Sequence, residues 1–232
     1  MLSIEDNVRH VKELIEKAAS RSGRSGGDIR LVAASKQNSA DAVRSAYHAG
    51  IDCFGENRVQ ELMEKKALGA YDGAELHLIG HLQKNKVKNV VGQCDLIQSV
   101  DSKELMELIS RRATSLEIVQ DILIEVNIGR EETKTGIDPS ALDDIASYAS
   151  SLPGIRVKGL MAIPPINSYE SHEKYNYFDL MYKLYVDIRA KKYDNNDICT
   201  LSMGMSSDFE EAIIAGSNMV RVGTAIFGPR AY

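Results

Sequence analysis

Short apolar runs alternate with longer amphipathic segments along most of this chain. The segment from Ser3 to about Ser20 carries Ile4, Val8, Val11, Leu14, Ile15 and Ala18 at helical spacing, which predicts a surface helix with one apolar stripe. Ser3 followed by Asp6 resembles a capping box at its start. A polar, glycine-rich connection over 21–28 then changes the period. Runs rich in Val, Ile and Leu at Ile29–Ser35, Ile51–Gly55, Glu75–Gly80, Asp95–Val100, Gln120–Asn127, Arg156–Ile163, Cys199–Met203 and Met219–Gly223 predict eight strands. Helix-period segments near Ser39–Ala49, Arg58–Ala67, Gln83–Val91, Lys103–Thr114, Pro139–Ser151, Tyr169–Lys191 and Asp208–Ala215 alternate with them. The alternation predicts a single domain over 1–232, a closed parallel (β/α)8 TIM barrel with an extra N-terminal helix over one end or the outer wall. A Rossmann-like open sheet is the rival, but no strand is followed by the Gly-x-Gly-x-x-Gly fingerprint.

Composition changes this picture little. The 232 residues, 44% hydrophobic and 26% charged, are those of an ordinary globular protein. A net charge of −5 argues against a general nucleic-acid binder, and no run approaches the length of a membrane span. The N-terminus lacks the regions of a signal peptide, so the expected location is the cytoplasm. Cys53, Cys94 and Cys199 are far apart and lie in or beside strand-like segments, which fits buried thiols better than disulfides or a metal site. The five histidines show no paired metal spacing, and no metal is expected.

Barrel sites lie at the C-terminal strand ends, and there the chain carries candidate chemistry. Lys36 closes the run Ile29-Arg-Leu-Val-Ala-Ala-Ser-Lys36, where it reads either as a reactive amine or as a stem covering the rim of the sheet. Leu201-Ser-Met-Gly-Met-Ser206 and Val220-Arg-Val-Gly-Thr-Ala225 place hydroxyls and small residues at strand-to-helix turns that suit a phosphate; the alternative for Ser206 or Ser207 is a helix cap. Arg221 needs a partner if it points inward. Asn57 either orients a ligand or caps the next helix. Met161 and Met203 read as ligand contacts or as barrel filling. The spacing of Tyr175, Phe178, Tyr182 and Tyr185 suggests core packing, and the basic stretch at Gln83–Lys88 a solvated helix face. The loop Asn127–Gly136 is expected over the mouth.

Together, Leu31-Val-Ala-Ala-Ser-Lys36, Phe54-Gly-Glu-Asn57, His77-Leu-Ile-Gly-His-Leu-Gln-Lys-Asn-Lys86, Val126-Asn127 with Glu131, Lys134 and Gly136, Gly159-Leu-Met161, Leu201-Ser-Met-Gly-Met-Ser206 with Asp208, and Val220–Gly228 resemble the pyridoxal phosphate homeostasis protein family, also called the proline synthetase co-transcribed family. The resemblance implies a fold-type III barrel like the N-terminal domain of alanine racemase, carrying pyridoxal 5′-phosphate (PLP) covalently as a Schiff base on Lys36. It further implies that Ser202, Gly223 and Thr224 hold the phosphate, with Ser206 as a weaker contact. Arg221 would face the pyridine nitrogen, Asn57 would sit beside the ring, and Met161 and Met203 would line the pocket.

The implied role is a PLP carrier that keeps intracellular PLP in balance, not an enzyme, with apo PLP-dependent enzymes as partners. A slow amino-acid racemase is the alternative. Racemisation needs an acid/base on each face of the substrate. Lys36 serves one, and His81 is the best local substitute for the other. The sequence ends at Tyr232 soon after the eighth strand, so the second racemase domain is expected to be absent and a monomer is expected.

Overall fold

A computed structural model describes residues 3–165 and 173–229, with the side chains of 173–176 outside the description. The elements run α1 (Ile4–Arg21), β1 (Arg30–Ala34), α2 (Ala40–His48), β2 (Cys53–Glu56), α3 (Val59–Ala67), β3 (Glu75–Leu78), α4 (Val87–Val90), β4 (Leu96–Val100) and α5 (Lys103–Ser115). They continue with β5 (Gln120–Val126), α6 (Leu142–Ser150), β6 (Ile155–Ala162), α7 (Glu173–Ala190), β7 (Asn196–Met205), α8 (Phe209–Ile214), β8 (Met219–Val222) and α9 (Thr224–Phe227). Among the described residues the eight strands close, in chain order, into one parallel barrel, sealed where Leu31 of β1 meets Val220 of β8.

Strand side chains alternate between two faces, and here both faces are buried. Leu31, Ala33, Phe54, Leu78, Ile97, Ile124 and Val220 point outward into the core beneath the helices. Val32, Ala34, Cys53, Ile79, Leu96, Leu123, Met161 and Met219 form a separate cluster inside the barrel. The two-residue period puts His77, Gln98, Glu125, Ser202 and Arg221 on the inner face as well, all of them buried.

Helix α1 starts as expected, with the Ser3 hydroxyl accepting from the Asp6 N–H. It packs on the outer wall against α2, α8 and α9, so it buttresses the β8–β1 seam from outside. Four expectations differ in detail. The helix expected over Gln83–Val91 is a 3-10 turn, Lys84–Lys86, followed by the single turn of α4, because only Val87, Val90 and Val91 find core to bury against. Strand β7 is longer than its apolar run, since β6 pairs with it down to Val157 and Asn196. Cys199 is exposed, whereas Cys53 and Cys94 are buried. In α7, Phe178 and Tyr185 are core and Tyr182 is exposed. The expected start of that helix at Tyr169 and the Tyr175 side chain lie outside the described residues.

Candidate functional site

Lys36 sits just past β1, half-buried, on a strand end held from below by a buried ionic cluster. The Glu56 carboxylate is fully buried and one of its oxygens accepts from Ser35 Oγ (2.7 Å), Lys65 Nζ (2.6 Å) and Tyr71 Oη (2.8 Å). Lys65 Nζ also donates to the Ser35 carbonyl at 2.8 Å, so the residue before Lys36 is fixed through both backbone and side chain. Burial, reinforced by the Glu56 charge, pushes the Tyr71 phenol pKa up and keeps it a donor. Beyond Lys36 the backbone turns sharply: Gln37 adopts φ 62°, and its N–H is taken by Glu61 Oε2 at 2.8 Å. Lys36 is thereby presented to a cavity of about 430 Å³ that Ala34, Asn38, Gly223, Thr224 and Phe227 help to line.

Gly223 and Thr224 bring the turn after β8 to the same cavity. The N–H groups of Gly223 (3.0 Å) and Ala225 (3.4 Å) both donate to Ser206 Oγ, which arrives from the turn after β7. The cap reading of Ser206 fails, because α8 begins at Asp208 with no side-chain cap bond. Two backbone donors and a hydroxyl gathered at one point make an anion cradle. Thr224 opens α9 beside it, exposed.

Arg221 lies inside the barrel, where burial pushes its pKa down to about 10, so the guanidinium stays charged at neutral pH. Its Nη1 donates to Ser202 Oγ at 2.5 Å and its Nη2 to the Ala162 carbonyl at 2.9 Å. Ser202 Oγ donates to Gln98 Oε1 (2.7 Å), and Gln98 Nε2 meets His77 Nδ1 at 2.8 Å. Ser202 is thus not part of the anion turn: it pairs in register with Met219, four residues below Gly223, and serves Arg221. Met161 is inside the barrel, but Met203 packs outside it in the core beneath the helices, because it follows the inward-facing Ser202 and successive strand side chains take opposite faces.

Asn57 does not cap α3, whose N-cap is Arg58. Its Oδ1 is buried without a hydrogen-bond partner among the described residues. A Cβ on Gly80 would meet the Asn57 carbonyl oxygen at 2.3 Å, so glycine there lets the ends of β2 and β3 close up. His81 is half-exposed and stands 3.4 Å from Asp101. The loop after β5 is tied to itself: Asn127 Nδ2 donates to the carbonyls of Glu131 and Lys134, and Thr135 to Glu125 Oε1 at 2.8 Å.

Sequence reasoning missed Glu56, Lys65, Gln98 and the support role of Ser202. Glu56 was visible in Phe54-Gly-Glu-Asn57, and its burial next to Lys65 could have been read from the nine-residue spacing only with the helix in place. The residues present fit PLP: a primary amine and an anion cradle share one cavity, a charged donor lies inside the barrel, and Asn57 Oδ1 awaits a donor.

The model of the alanine racemase N-terminal domain matches residues 3–231. A pyridoxal phosphate homeostasis protein of Aquifex aeolicus is 44% identical over 229 residues, covering 98% of each chain. Its namesake in Escherichia coli K12 is 39% identical, covering 100% of this chain and 99% of the relative. PipY of Synechococcus elongatus, solved with PLP bound, is 34% identical with a TM-score of 0.79, covering 93% of this chain and 100% of that one. On a match of this length and identity, the chain belongs to the pyridoxal phosphate homeostasis protein family.

Proposed function

We propose that this chain binds PLP covalently through Lys36 and serves as a carrier that releases the cofactor to apo PLP-dependent enzymes. One observation carries the reading: the Lys36 side chain and the Gly223–Thr224 turn line the same cavity. Bound there, the cofactor supplies an aldehyde carbon that bonds reversibly to a primary amine. Lys36 is that amine, and the cluster around Glu56 holds its backbone. The Gly223 and Ala225 N–H groups, with Ser206 and Thr224, bind the phosphate. Arg221 would offer a charged donor to the pyridine nitrogen; a guanidinium cannot accept a proton, so it would favour an unprotonated ring and disfavour carbanion chemistry. Asn57 and Met161 would flank the ring.

A carrier needs no second acid/base. His81, the substitute that the sequence offered, does not line the Lys36 cavity. The same reading makes the chain a cytoplasmic monomer, for which light scattering would give one chain per particle. The decisive experiment is Cα deuterium exchange by PLP-loaded protein over a panel of amino acids, run beside transfer of PLP to an apo-enzyme. No exchange with Lys36-dependent transfer is expected. Lysine-dependent exchange at enzymatic rates would make this barrel a racemase-type enzyme.

A further inference from the structure

The barrel rim opposite β1 carries a second polar pocket. In a barrel closed in chain order β5 stands across from β1, and Glu125, one residue before the end of β5, is 5% exposed. The chain then folds back on itself: the Asn127 N–H donates to the Ile137 carbonyl (2.9 Å) and the Ile137 N–H to the Glu125 carbonyl (2.8 Å). Gly136, at φ 111°, permits this return, since a Cβ there would meet the Asn127 nitrogen at 2.5 Å. The returning segment brings Thr133, Lys134 and Thr135 to Glu125, and with Ile163 they help to line a cavity of about 300 Å³. None of these residues lines the Lys36 cavity.

The two carboxyl oxygens of Glu125 differ. Oε1 accepts from Thr135 Oγ1 at 2.8 Å, whereas Oε2 is buried with no hydrogen-bond partner among the described residues. A buried carboxylate with a vacant oxygen is costly, and a charged N–H donor offsets that cost better than a neutral one. We infer that this cavity is a binding site for the ammonium group of a small primary amine, held on Glu125 Oε2, with α-amino acids and simple alkylamines as the compounds that carry it. The inference stands apart from the carrier reading.

The lining selects this chemistry. An ammonium brings N–H donors and a single positive charge to a single carboxylate. A hard divalent ion would need several oxygen ligands, and Glu125 is the only carboxylate among the described residues that line the cavity. Lys134 lines it too, but its ammonium is paired with Glu131 Oε2 at 2.5 Å, so the charge left uncompensated is that of Glu125. Ile163, 36% exposed, offers apolar surface to the carbon chain of the ligand. Burial raises the Glu125 pKa and Asp101 adds to the rise, while the Thr135 hydrogen bond, Arg221 and His81 oppose it. The ammonium binds the ionised carboxylate, so affinity increases as pH rises through that pKa.

Titration of the PLP-free full chain with alanine, ethylamine and propionate, followed by amide NMR, tests the inference. The expected result is saturable shifts at Val126 and over Thr133–Thr135 with alanine and ethylamine, and none with propionate, which lacks the ammonium. Tighter binding of alanine would identify amino acids as the source and tighter binding of ethylamine simple amines; either supports the site. Glu125→Gln, which preserves shape, should weaken binding by about tenfold or more. Thr135→Val keeps Oε2 but removes the bond that lowers the carboxyl pKa, so the pH midpoint of binding should move up. No saturable shift with either amine, equal shifts with propionate, unchanged affinity in Glu125→Gln, or an unmoved midpoint in Thr135→Val would overturn the assignment.

Discussion

At the scale of single residues, the buried charges decide most of what can be tested. Glu56 and Lys65 form an ion pair in which both side chains are nearly inaccessible, and the hydroxyls of Ser35 and Tyr71 complete it. Removing one member leaves the other charge buried and alone. Glu56→Gln is therefore expected to cost about 3 kcal/mol or more in urea unfolding and to loosen the Lys36 strand end. Two other carboxylates give stability an opposite pH dependence. His77, as hydrogen-bond partner, pulls Glu75 down to about 2, so its contribution is present above the unfolded carboxylate range and is lost as pH falls from about 4.5 towards 2. Burial raises the pKa of Glu125, so its contribution is complete below the unfolded value and is lost as pH rises through the folded one. Glu125→Gln should accordingly remove a decline in stability on the alkaline side of pH 4.5, measured as urea midpoints from pH 4 to 7.5. An unchanged profile would mean that Glu125 ionises freely. Lys36 stood out as a candidate at this scale because an amine ended an apolar strand. The contacts of Ser202 with Arg221 and Gln98 were not legible, because a sequence shows that a serine is near a turn but not which face of the strand it occupies.

Secondary-structure elements were legible wherever burial and periodicity agreed. The eight apolar runs became eight strands because each is covered on both sides. The expected helix at Gln83–Val91 shrank to single turns because its first half is Lys84, Asn85 and Lys86, with nothing apolar to anchor it. Strand β7 misled in another way: Ser202 and Met203 are adjacent, so strand alternation that turns Ser202 inward turns Met203 out of the barrel. The close contact between the ends of β2 and β3 is a prediction at this scale. In Gly80→Ala the new methyl meets the Asn57 carbonyl, and the β2 end carrying Asn57 must retreat. Because sub-ångström misplacement at a binding site is costly, PLP affinity should fall by about tenfold or more, with the fold retained by circular dichroism. Equal PLP affinity in the variant would remove Asn57 from the site.

For the whole molecule, the closed barrel explains why the site is where it is. Eight parallel strands deliver their C-terminal ends to one rim, so residues as distant in sequence as Lys36 and Thr224 line one cavity. The fold was legible from the alternation alone, and the cradle from its small residues and hydroxyls. What the sequence hid was the polar interior, His77, Gln98, Ser202 and Arg221, because contacts across a barrel join residues from four strands. The central claim, covalent PLP on Lys36, is open to a direct measurement. The full chain loaded with PLP is reduced with borohydride, its intact mass recorded, and the modified peptide sequenced, with Lys36→Ala alongside. One reduced PLP adduct per chain, located at Lys36 and absent from Lys36→Ala, is the expected result. An adduct at another lysine, or an undiminished adduct in Lys36→Ala, would contradict it.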